Sequence, residues 1–89
     1  MNNRENYNLA FIESFEVDED MVSTLEYQSI ETWDSVGHMV LIAALEEKFD
    51  IMMEMDDIID FSGFEKGKDI LMNYNIKIDI YYKCLNDVL

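Results

Sequence analysis

Proline is absent from the chain, and glycine occurs only at positions 37, 63 and 67. With so few breakers, and with Glu, Leu, Met, Ile and Asp plentiful, long stretches of backbone can run as helix. The side-chain periods agree. Tyr7, Phe11 and Phe15 follow an i, i+4, i+8 spacing, which predicts a first helix over about residues 4–16. His38, Leu41, Ile42, Leu45 and Phe49 make one stripe on a second helix expected over about 35–50. Asp34 stands directly before that stripe as a good N-cap, its carboxylate able to accept from the free amides of the first turn. A short helical piece is expected around 56–61, contributing Ile58, Ile59 and Phe61. Ser62-Gly63-Phe64-Glu65 then reads as a capping box that opens a last helix ending near Tyr74.

The expected fold is therefore all-α: a small four-helix bundle of three main helices and one short helix, with a long loop between the first two main helices. That loop, residues 17–34, carries Met21, Val22, Leu25, Tyr27, Ile30 and Trp33, which can pin it to the core. At 89 residues and 49% apolar, the chain suits one domain built on a hydrophobic core. Residues 1–75 are read as that domain and 76–89 as a C-terminal extension. In the extension Ile76, Ile78 and Ile80 alternate like a strand, while Ile78, Tyr81, Tyr82, Leu85 and Leu89 suit a helix. Helix is favoured, because a lone edge strand lacks a partner.

The net charge of −14 is unevenly placed. Residues 13–60 hold fifteen carboxylates against Lys48 alone, and the rest of the chain is balanced. Such a field repels nucleic acid and anionic membranes and steers basic protein surfaces toward the segment centred on Ser35. Partners are accordingly expected to be proteins, with no nucleic acid and no membrane. The start of the chain, MNNRENYN, lacks the apolar run of a signal peptide, and no stretch approaches a membrane span. One cysteine, Cys84, cannot form an internal disulfide. A cytoplasmic monomer is the expectation.

The second predicted helix carries more apolar residues than a core stripe requires. Met39, Val40 and Ala43 lie off that stripe and are followed by Glu46 and Glu47. An apolar patch rimmed by acids suits protein docking better than solvation. Ser35 lies in the first turn of the same helix, where unpaired amides and the positive end of the dipole favour an attached phosphate.

Together, Asp34-Ser35-Val36, Leu41-Ile42, Leu45-Glu46-Glu47, Phe49, Asp57-Ile58 and Phe61-Ser62 resemble the acyl carrier protein family over about residues 5–75. The resemblance implies a four-helix bundle in which Ser35 carries a 4′-phosphopantetheine arm, installed by a separate phosphopantetheinyl transferase. It also implies that the chain is no enzyme, but a carrier serving acyl-loading and acyl-using enzymes with basic docking patches. Asp34, beside the attachment serine, would assist. Val36, Met39, Val40, Ala43, Glu46 and Glu47 would form the docking face. Val36 stands where the family motif commonly has leucine, and Gly37, His38 and Val40 replace acids or small polar residues. These departures point to a specialised pathway rather than bulk fatty-acid synthesis.

Three other readings compete. Ser35 could simply help cap the helix, leaving an acidic helical interaction module without a prosthetic group. Ser35 and His38, three residues apart, could pair as nucleophile and base, although no orienting group or oxyanion hole is visible. Asp56, Asp57 and Asp60 could suggest calcium, but they lack the spacing of a calcium-binding loop.

Overall fold

The computed structural model describes residues 2–78, which fold into five helical segments with no β-strand among them. The helix α1 spans Asn3–Phe15, a 3-10 helix spans Glu19–Thr24, and α2 spans Ser35–Phe49. Then come α3, Met55–Asp60, and α4, Phe64–Met72. Asn2 caps α1, its side-chain oxygen accepting from the Glu5 amide at 2.8 Å.

The predicted i, i+4 series of α1 is the core. Tyr7, Phe11 and Phe15 are buried together with Ala10. They meet Leu41, Ile42 and Leu45 of α2 and Phe64, Ile70 and Leu71 of α4 in one cluster. Aromatic rings dominate it: Phe11 lies edge-on to Tyr7, Phe15, Trp33 and Phe64, with centroids 4.9 to 6.1 Å away. The two ends of the expected α2 stripe pack less deeply, His38 and Phe49 being half-buried.

The long connection is ordered, as the apolar residues within it predicted. Val22, Leu25 and Trp33 are buried, whereas Met21 and Tyr27 remain exposed. Its middle is held by an isolated antiparallel bridge between Glu26 and Gly63. There the Phe64 amide donates to the Leu25 carbonyl and the Tyr27 amide to the Ser62 carbonyl, each at 2.9 Å.

This bridge overturns the predicted capping box. The N-cap of α4 is Gly63, with no side-chain cap bond, and Glu65 instead pairs with Lys68 at 3.0 Å. The physical reason is that the Ser62 carbonyl, which an N-cap turns to its own helix, is taken by the Tyr27 amide, and the first intrahelical bond runs from the Gly67 amide to Gly63 instead. At the other end, α4 closes as expected near Tyr74. The Ile76 amide reaches back to the Leu71 carbonyl and the Asn75 amide to that of Met72, both at 3.1 Å, with Asn75 left-handed at φ 64°. This is a Schellman closure. It ends the helix, so residues 76–78 do not continue it, and Ile76 and Ile78 turn back into the core. The helix favoured for the extension thus fails over 76–78; positions 79–89 lie outside the described residues.

Candidate functional site

Asp34 is the N-cap of α2 in the way its sequence position predicted. Its Oδ1 accepts from the Gly37 amide at 2.8 Å, and its backbone is extended. Gly37 is required here by close approach: a Cβ at this position would run into the Thr32 carbonyl oxygen. The tight contact presses the end of the long loop against the first turn and sets the angle at which α2 starts.

Ser35 is the first residue of α2 and is exposed. The Ser35 and Val36 amides point out of the helix start without intrahelical partners, as at any helix N-terminus. Beside Ser35 lies an open cavity of about 420 Å³. Met39 of α2 and Ile58 and Ile59 of α3 form its apolar walls, and Tyr27, His38 and Phe61 contribute rings. A volume of this size falls at the small end of ordinary ligand pockets.

The floor of the cavity is organised by His38. The Trp33 indole N–H donates to His38 Nδ1 at 3.0 Å, with the two ring planes only 16° apart. Because Nδ1 accepts, the neutral ring carries its proton on Nε2, which donates to the Ile58 carbonyl at 2.7 Å. Both nitrogens are occupied within the fold. The nucleophile–base pairing of Ser35 with His38 is therefore not formed, and His38 is a structural link between the loop, α2 and α3.

The sequence-predicted docking residues divide. Val36, Met39, Val40 and Ala43 are exposed, and with Glu47 they run along one face of α2 opposite the core stripe. Val36 is 71% exposed, and Ile59 of α3, on the far side of the cavity, is 70% exposed. Glu46 does not belong to this row. Its Oε2 accepts from the Met53 amide at 2.9 Å, so it folds the connection between α2 and α3. Ile59, which the sequence assigns only to the short helical piece, flanks the same apolar surface, as the path of α3 reveals.

Among the described residues, no three His, Cys, Asp or Glu side chains gather as a metal-binding group, and Asp56, Asp57 and Asp60 stay apart in this sense. Asp57 instead accepts from the Tyr74 hydroxyl at 2.6 Å. No described helix is long and apolar enough to cross a membrane.

No protein-family model, curated protein or solved structure matches this chain, so its site is read from its own residues.

Proposed function

We propose that the chain is an acyl carrier protein, with Ser35 as the attachment point of a 4′-phosphopantetheine arm added by a phosphopantetheinyl transferase. One observation carries this reading: Ser35 is exposed at the opening of α2, on the edge of an apolar cavity, within reach of a modifying enzyme. A phosphodiester there gains about 0.3–1 kcal/mol from the helix dipole. Asp34 already engages the Gly37 amide, so the Ser35 and Val36 amides are the donors left for it.

When bound, the arm supplies a thiol that holds acyl groups as thioesters. The residues of the chain supply an address. Val36, Met39, Val40 and Ala43 offer apolar contact, and Glu47 offers charge to basic patches on acyl-loading and acyl-using enzymes. In this reading the four α-helices pack as a bundle, the chain works as a monomer, and its pathway is specialised, since the first half of α2 is apolar rather than charged.

The test is co-incubation with coenzyme A and a transferase of broad specificity, followed by intact-mass measurement. Wild type gains the mass of one phosphopantetheine, and Ser35→Ala gains none. Wild type that stays unmodified favours the acidic interaction module instead, a reading that the exposed Val36, Met39 and Ile59 also suit.

A further inference from the structure

Apolar burial positions most helices of this protein, but α3 is an exception. None of its six residues is buried, and Ile58 is the only one packed against the core cluster even in part. Polar contacts take over that task. Before and at the start of α3, the Met53 amide donates to Glu46 and the Glu54 amide to Tyr74 Oη, each at 2.9 Å. The Tyr74 hydroxyl in turn donates to Asp57 at 2.6 Å. At the other end, His38 Nε2–H meets the Ile58 carbonyl at 2.7 Å, and Phe61, buried in the core, follows the last turn.

The last carbonyls of a helix have no donor within it, so an external donor meets an intrinsic need. The Phe61 amide reaches the same Ile58 oxygen only at 3.4 Å, whereas His38 is at 2.7 Å. His38 is therefore the stronger partner of that oxygen. Its ability to donate there is set from the opposite side of the ring, where the Trp33 N–H occupies Nδ1 and places the ring proton on Nε2. Trp33 is fully buried and cannot turn away without disturbing the core.

We propose that His38 is a positioning residue that sets the width of the cavity beside Ser35. Its short hydrogen bond to the Ile58 carbonyl, added to the anchoring of Phe61 in the core, fixes the last turn of α3 and with it the wall that Ile58 and Ile59 present to Ser35. Breaking that bond frees α3 as a local opening, while the core formed by α1, α2 and α4 stays folded. The inference is independent of whether Ser35 carries a prosthetic group.

Two substitutions separate the two sides of the ring. His38→Gln places an amide donor at the reach of Nε2 and keeps the tie to Ile58. His38→Asn keeps an acceptor near Nδ1 for Trp33 but falls short of Ile58. Amide hydrogen exchange of the full chain is the readout. In His38→Asn the amides of residues 58–61 exchange about tenfold faster than in wild type, while those of Leu45, Ile70 and Leu71 are unchanged. In His38→Gln residues 58–61 remain close to wild type. Equal acceleration in both variants, acceleration across the whole chain, or no change in either overturns the proposal. Imidazole nitrogen NMR of the wild-type protein supplies a check that needs no variant. The proton must reside on Nε2, and a ring protonated on Nδ1 alone refutes the arrangement.

Discussion

The Glu46 carboxylate accepts the Met53 amide across the α2–α3 connection at 2.9 Å, while its neighbour Glu47 stays exposed on α2. Two adjacent acids thus have different jobs. Glu46→Lys removes a charge-assisted hydrogen bond to a buried residue and costs about 1.5–3 kcal/mol. Glu47→Lys stays within roughly 0.5 kcal/mol of wild type but, under the proposed carrier function, should slow transferase modification of Ser35 at low salt. Thermal melts and loading rates on both variants decide this. Equal loss of stability in the two would remove the distinction.

Gly67 lies inside α4, where alanine ordinarily stabilises a helix by about 1 kcal/mol. Here a Cβ would collide with the Phe61 ring and the Tyr7 hydroxyl, both packed in the core. The Tyr7 hydroxyl also donates to the Phe64 carbonyl at 2.6 Å, so it cannot move aside freely. Overpacking of this kind costs about 1–3 kcal/mol and reverses the sign. Gly67→Ala should melt below wild type; a higher melting temperature would show that the neighbours yield easily.

At the C-termini of α1 and α2, Glu16 and Asp50 adopt left-handed conformations at φ 56° and 53°, positions that glycine fills without strain. Asp50→Gly should therefore stabilise the fold by about 1 kcal/mol, which for a domain of this size raises the melting temperature by about 4–8 °C. Part of any gain comes from removing a negative charge at a helix C-terminus. Asp50→Asn, which removes the charge but retains a side chain, isolates that part. Glycine performing no better than alanine at this site would contradict the backbone argument.

Partial desolvation, reinforced by donation to Asp57, raises the pKa of Tyr74 above its ordinary value of 10.0. The folded state therefore holds this proton more tightly than the unfolded state. Its contribution to stability is complete below pH 10.0 and is lost as pH climbs through the raised folded value. Urea unfolding across roughly pH 8–11.5 should show a decline in wild type that is smaller in Tyr74→Phe. Parallel curves for the two proteins would mean that Tyr74 does not contribute.

The helices and the start of α2 were legible in the sequence because their causes are local. A period of three to four residues determines which face of α1 or α2 can be buried, and Asp34 reaches the Gly37 amide only three residues away. The position of Ser35 in the first turn follows directly. Its exposure does not, because that depends on where the loop and α3 lie around it. Nor could the sequence show that the Tyr27 amide would take the Ser62 carbonyl and move the start of α4 to Gly63. Likewise hidden was that His38 would be shared between Trp33 and Ile58. Those partners are chosen only when the collapsed core brings distant segments together, since a hydrogen-bond donor takes whichever acceptor the packed chain sets before it.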